Sequence, residues 1–169
     1  MPSAAERRPF WALVAVTLVL DRITKVIAEQ ELGTRTIEVV GEVLRWRLVY
    51  NPGAAFGLGR TLGPASRWVF MVVAVVAVWL LWRMSRETPV TDRLRQWAVG
   101  FVAGGALGNL IDRIISPRGV VDFIDVGLTA TGWRWPTFNV ADMAVSCGAV
   151  ALAISLWQED ARRRRDAPA

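Results

Sequence analysis

Long apolar runs alternate with short charged stretches along the whole chain. The first run covers about 10–28 and is broken near its end by Asp21, Arg22 and Lys25. The second, about 67–84, contains WVFMVVAVVAVWLLW without a charge and is bracketed by Arg67 and Arg83. The third, about 95–115, is rich in small residues until Asp112 and Arg113. The fourth, about 138–157, is interrupted only by Asp142 near its start. A helix needs ~20 mainly apolar residues to cross the hydrocarbon of a bilayer. Each run reaches that length once its terminal polar residues are counted, and such residues are tolerated at an interface or facing other helices. The segments between, about 29–66 and 116–137, follow a different rhythm. Residues 36–40 are rich in β-formers, Gly41-Glu42 can turn the chain, and 44–48 (LRWRL) alternate apolar and basic positions. Residues 120–126 (VVDFIDV) form a further strand candidate. Asn51-Pro52-Gly53 ends the strand pattern, and Ala54-Ala55-Phe56-Gly57 reads as a short interfacial helix or turn. The predicted fold is membrane all-α: four transmembrane helices with a small extracytoplasmic β-sheet on the outer face. It forms one domain over 1–169.

Charge orients this arrangement. Lys plus Arg exceeds Asp plus Glu by 20 − 15 = 5 in the 169 residues. Arg7 and Arg8 precede the first span, Arg83, Arg86, Arg93 and Arg95 separate the second and third, and Arg162 to Arg165 follow the fourth. These places share one side of a four-span chain, and basic residues mark the cytoplasmic side. Both termini are therefore expected in the cytoplasm. The first outer loop also holds Arg35, Arg45, Arg47 and Arg60, offset by Glu29, Glu31, Glu38 and Glu42. Trp11, Trp68, Trp82, Trp97 and Trp157 lie near span ends, where interfacial tryptophans belong. The first run continues into a charged turn rather than a small-residue cleavage site, so it reads as a retained helix. The C-terminal arginines read as a topology anchor, and no nucleic-acid partner is expected.

Composition then removes whole chemistries. There is no histidine and one cysteine, Cys147. No Ser-His-Asp triad, Cys-His pair, thiolate cage or intramolecular disulfide can be built, and no metal or cofactor site is expected. Cys147, in mid-span, reads as packing. Hydrolytic chemistry would have to run on carboxylates, hydroxyls, amides or the single lysine, Lys25. The unusual polar residues collect at one face of the predicted bundle: Asp21, Asp112, Arg113, Asn139 and Asp142 at outer span ends, Asn51 and Asp122 in the outer loops. Asn139 and Asp142, three apart, can share a helix face. Taken singly, each has a structural explanation. Asp21 can pair with Arg22 or Lys25, Asp112 with Arg113, and Asp122 or Asp125 can form the polar face of a strand. Gly104, Gly105 and Gly108 suit close packing between spans. Asp142 resists this treatment, since no basic residue lies within a turn of it. Two neighbouring aspartates offer a mechanism without histidine, one charged as a base toward water and one protonated as an acid.

Five motifs in order carry a resemblance. They are Asp21-Arg22-Ile23-Thr24-Lys25, Asn51-Pro52-Gly53-Ala54-Ala55-Phe56-Gly57, the stretch from Gly104-Gly105 through Gly108-Asn109 to Asp112-Arg113, Val120-Val121-Asp122-Phe123-Ile124, and Phe138-Asn139-Val140-Ala141-Asp142. With them the chain resembles, over nearly its whole length, the lipoprotein signal peptidase (signal peptidase II) family of bacterial intramembrane aspartic proteases. The resemblance implies that Asp122 and Asp142 are the catalytic dyad, a choice of Asp122 over Asp125 that spacing leaves open. It also implies supporting or substrate-binding roles for Asp21, Lys25, Asn51, Gly53, Asn109, Asp112, Arg113 and Asn139. The implied substrate is a diacylglyceryl-modified prolipoprotein, cut on the N-terminal side of the lipidated cysteine, at the outer face of the bacterial cytoplasmic membrane. Membrane lipids are the other implied partners. The sequence does not give the oligomeric state, and a monomer is compatible with it. The rival readings are a small four-span ion- or proton-coupled transporter using Asp21, Asp112 and Asp142, a serine-lysine hydrolase using Lys25 with Ser66 or Ser116, and a membrane scaffold.

Overall fold

The computed structural model describes residues 8–53, 63, 65–128 and 132–166. Arg7, Arg60 and the 54–57 segment lie outside the described residues. The elements run α1 (Arg8–Glu31), β1 (Thr36–Val40), β2 (Leu44–Asn51), α2 (Ala65–Glu87), α3 (Arg93–Ile115), β3 (Val120–Leu128), β4 (Trp133–Arg134) and α4 (Val140–Asp166). Helices α2, α3 and α4 are long and apolar enough to cross a membrane. That is three of the four runs expected from the pattern. α1 has 24 residues, but Asp21, Arg22 and Lys25 leave it no uninterrupted apolar window of sufficient length.

α3 is the centre of the bundle and packs against α1, α2 and α4. Over half of its apolar window, 56%, is buried within the chain, against 6% for α2. A helix that is apolar all round and buries almost nothing inside its own protein has its apolar surface available to lipid. Small residues let α3 serve three neighbours. Gly100, Gly104 and Gly108, each one turn apart, face Leu13, Thr17 and Asp21 of α1. Gly105 faces Ala141 and Val145 of α4, and Gly148 of α4 faces Ala98 and Val102. Such positions let helix backbones approach closely in a bilayer. At Gly108 an added Cβ would lie 2.5 Å from Asp21 Oδ2. That carboxylate cannot step aside, being held by Lys25 at 2.8 Å and by the Ala141 backbone N–H at 2.9 Å. Gly108→Ala is therefore expected to cost about 1–3 kcal/mol through overpacking, read as a lower melting temperature in detergent. An unchanged transition would show that α1 and α3 separate freely here.

Along α1 the interior is layered. Phe10 and Val14 join Val99 and Ala103 in one apolar cluster, with Leu18 packed against it. Ala28 and Leu32 join Phe123 in a second cluster beneath the sheet. Asp21 and Lys25 fall between, fully buried, so a polar layer separates two apolar ones.

The sheet has the order β1-β2-β3-β4, antiparallel throughout. β1 matches the predicted 36–40. β2 runs on to Asn51 beyond the predicted 48, and β3 to Leu128 beyond 126. A register irregularity between Trp46 and Val49 sets Val49 opposite Asp122 and Asn51 opposite Val120. β4 is two residues long, too short for any alternation to announce it. The helices outrun their apolar cores. α4 continues through Arg162 to Arg165, where Glu159–Arg163 and Asp160–Arg164 form pairs one turn apart that favour helix. It begins at Val140 rather than Phe138, because Phe138 is stitched to β3. Its carbonyl accepts from the N–H groups of Phe123 (3.0 Å) and Ile124 (2.8 Å).

Candidate active site

Asn139 fixes the start of α4 and brings two aspartates together. Its side-chain Oδ1 accepts from the Asp142 N–H at 2.9 Å, while Asp142 Oδ2 accepts from the Asn139 N–H at 3.2 Å. This reciprocal pair is a capping box, which satisfies two of the orphan donors at a helix N-terminus. The spacing of Asn139 and Asp142 thus has a sharper cause than a shared face. From the same residue, Nδ2 donates to Asp122 Oδ1 at 2.7 Å. The other Asp122 oxygen accepts from Asn51 Nδ2 at 3.1 Å, and Asn51 Oδ1 in turn accepts from the Gly53 N–H at 3.1 Å. Asp142 Oδ1 accepts from Asn109 Nδ2 at 2.8 Å. Both carboxylates are therefore held by amide and backbone donors.

The other aspartates of this region are held by cations. Lys25, with no exposed surface, reaches Asp21 Oδ2 (2.8 Å), Asp112 Oδ2 (2.7 Å) and Asn109 Oδ1 (3.0 Å). An ammonium has three protons to donate, and all three are engaged. Asp21 pairs with Lys25 rather than Arg22. Asp112 pairs with Lys25, and at 3.5 Å with Arg22, rather than with Arg113. It also accepts from the Val121 N–H at 3.2 Å, tying α3 to β3. Asp125 is not an exposed strand residue but is 1% exposed. Arg45 (3.0 Å) and Arg134 (2.7 Å) close on it from β2 and β4. Burial alone would raise its pKa, but these two arginines outweigh that and hold its carboxyl below the usual carboxylate range. Asp122 differs. Burial, and then the charge of Asp142, push it up to about 7 against the opposing bonds from Asn51 and Asn139. Among the described residues neither Asp122 nor Asp142 has an ion-pair partner, although Asp21, Asp112 and Asp125 all do.

Arg113 reaches carbonyls, not carboxylates: Gly53 O at 2.8 Å and Asn109 O at 3.1 Å. Its Nε is buried with no hydrogen-bond partner. Such an orphan donor is costly unless something comes to meet it. Arg113, Asn51, Asp122 and Asp142 share one cleft of about 620 Å³. Its far wall is Trp135 to Phe138 from the end of the sheet, with Met143 and Cys147 of α4. Cys147 is exposed on that wall, which corrects its reading as a packing residue. The apolar run could not show that one face of α4 borders a cleft. The Trp135–Phe138 wall was also missed, though an aromatic-rich WRWP just before the helix cap is a usable signal.

The hydroxyls do not assemble with the lysine. Ser66 Oγ lies 2.8 Å from Gly63 O and 3.1 Å from Pro52 O, and Ser116 Oγ accepts from the Arg118 N–H. Next to Ser66, Arg67 donates to the carbonyls of Arg113 (2.6 Å) and Ile114 (3.1 Å), capping α3 behind the cleft. Among the described residues no group of three or more Cys, Asp or Glu is arranged to hold a metal.

The family model described as Signal peptidase (SPase) II matches residues 13–158. A lipoprotein signal peptidase of Treponema denticola is 35% identical over 161 residues, covering 90% of this chain and 91% of that one. One of Ectopseudomonas mendocina is 40% identical over 157 residues, covering 89% of each. In fold, the chain is similar to a bacterial membrane enzyme solved by the in meso method at 2.3 Å, with a TM-score of 0.77 at 24% identity, covering 95% of this chain and 94% of that one.

Proposed function

The chain belongs to the signal peptidase II family, and from that premise we propose that it cuts diacylglyceryl-modified prolipoproteins on the N-terminal side of the lipidated cysteine, with Asp122 and Asp142 activating water. The observation that carries the assignment is the contrast among aspartates. Three are neutralised by lysine or arginine, and the two that are not share Asn139 and open onto one cleft. Two neighbouring carboxylates in a desolvated site do not both ionise readily, so the pair keeps one proton at neutral pH. Asp122 holds that proton. Asp142 takes a proton from water, which attacks the scissile carbonyl. Asp122 donates to the carbonyl oxygen, giving a gem-diol; the proton on Asp142 then passes to the amine as the C–N bond breaks, and one diol hydroxyl returns its proton to Asp122. Asn51, Asn109 and Asn139 orient the two carboxylates. The free Nε–H of Arg113 is available to a substrate carbonyl.

The same reading makes α1 a fourth span, with both termini cytoplasmic and the site at the outer face of the bacterial cytoplasmic membrane. Large apolar side chains on α1, among them Val16, Val19, Leu20, Ile23 and Ile27, are exposed, which suits lipid rather than water. The dyad end of the bundle carries the sheet, and the opposite end carries the arginine clusters. A transporter would need polar groups reaching across the bilayer, and these gather at one end.

The test is purified enzyme in detergent with a lipid-modified prolipoprotein, with the product sequenced. The expected product begins at the lipidated cysteine. Equal cutting of the unmodified precursor, or cutting elsewhere, overturns the substrate assignment. The proton on Asp122 also predicts the pH profile. As pH rises through about 7 that proton is lost, the general acid disappears, and kcat/KM falls about tenfold per unit beyond it. A profile flat to pH 9 would remove Asp122 from that role.

A further inference from the structure

At the end of the bundle remote from the dyad, a second cleft of about 680 Å³ opens between the N-terminus of α3 and the C-terminal half of α4. That volume lies in the range of small-molecule sites. The peptidase reading does not use it. Its floor is a closed ionic knot. Arg95 is bonded to Asp92 at 3.3 Å, to Glu159 and to Ser155 at 3.2 Å. Glu159 also pairs with Arg163. Two acids and two arginines thus neutralise one another. Two further arginines line the cleft, Arg93 and Arg162. Both are exposed, and among the described residues neither guanidinium has an ion-pair or hydrogen-bond partner. The cleft therefore presents a surplus of two positive charges. Its position along the helices is set by Trp97 on α3 and Trp157 on α4, both exposed. Exposed tryptophans on spanning helices mark headgroup level.

We propose that this cleft binds the phosphate of an anionic phospholipid headgroup, with Arg93 and Arg162 as its ligands and the Arg95 knot as its rigid floor. A guanidinium donates two parallel N–H groups to phosphate oxygens, and basic pockets between spans at the cytoplasmic face suit anionic headgroups. Phosphatidylcholine carries the same phosphodiester but adds a choline cation, which the two surplus arginines repel.

The test is native mass spectrometry of the full detergent-purified chain with equal amounts of phosphatidylglycerol and phosphatidylcholine of matched acyl chains. The expected result is preferential retention of phosphatidylglycerol. That preference falls roughly fivefold for each arginine removed in Arg93→Gln and Arg162→Gln, while Arg165→Gln, outside the cleft, leaves it intact. Because neither arginine touches the dyad, the double variant should still cut prolipoprotein, which also shows that it is folded. Displacement of the lipid by millimolar inorganic phosphate would make phosphate itself the recognised group. Survival of the complex would make it the lipid. Both results support an anion site. Equal retention of the two lipids by the native chain, an undiminished preference in the double variant, or an equal loss in Arg165→Gln overturns it.

Discussion

Asp122→Asn and Asp142→Asn should each lower kcat/KM for a lipid-modified prolipoprotein by about a thousandfold or more, since each would remove one partner of the proposed general acid–base pair. Stability should move much less. An amide keeps the shape of the carboxyl and one of its acceptor oxygens. In Asp142→Asn the single oxygen can serve Asn109 Nδ2 or the Asn139 N–H, the two donors that Asp142 now satisfies. The other donor is left facing an NH₂ group, at a cost of about 1–3 kcal/mol. The same holds for Asp122 between Asn51 and Asn139. Against this cost, each substitution ends the charge repulsion within a pair of carboxyls that has no ion-pair partner among the described residues. The variants should therefore purify folded and melt near the wild type while failing to cut. Retention of a tenth or more of wild-type activity in either folded variant would sink the dyad.

How much of this was legible beforehand depends on where each partner comes from. Lys25 and Asp21 lie one turn apart on α1, and Asn139 and Asp142 lie three apart at a helix start. Local spacing exposes both pairs. The absence of a basic residue near Asp142 in sequence is visible too, and among the described residues it forms no ion pair in three dimensions, although Arg113 borders the same cleft. Spacing alone does not choose between Asp122 and Asp125; the family resemblance does. Both are buried, and both sit in one apolar-rich strand. Three apart on a strand, they face opposite sides of the sheet, and they differ in what the neighbouring elements bring, Asn139 from the start of α4 reaching only Asp122. β2 presents Asn51 near one and Arg45 against the other, and β4, a strand without a pattern, adds Arg134. Likewise Asp112 sits beside Arg113 in sequence but pairs with a lysine from another helix. A neighbour in sequence on a helix points about 100° away, so adjacency suggested a partner that geometry denies.

That lysine carries the second large effect. Lys25→Met should destabilise the protein by about 3–5 kcal/mol, the usual consequence of stripping one partner from a buried ion pair. Lys25 is fully buried and serves two carboxylates, each 2% exposed. Without it, Asp21 has no cation left among the described residues and Asp112 keeps only Arg22 at 3.5 Å, in the polar layer between two apolar clusters. Asn109 Oδ1 also loses one of its two donors and keeps only Asn139 Nδ2, which loosens the amide that holds Asp142. Activity should fall with stability, and the two losses should be partly recoverable together. Adding Asp112→Asn removes one of the stranded charges and should restore part of the melting temperature and part of the cleavage rate. A lysine acting as a catalytic base would behave differently. Its methionine variant would stay folded and inactive, and no change at Asp112 would bring activity back. Measuring melting temperature and turnover on the single and double variants separates the two roles, because only a structural lysine couples them.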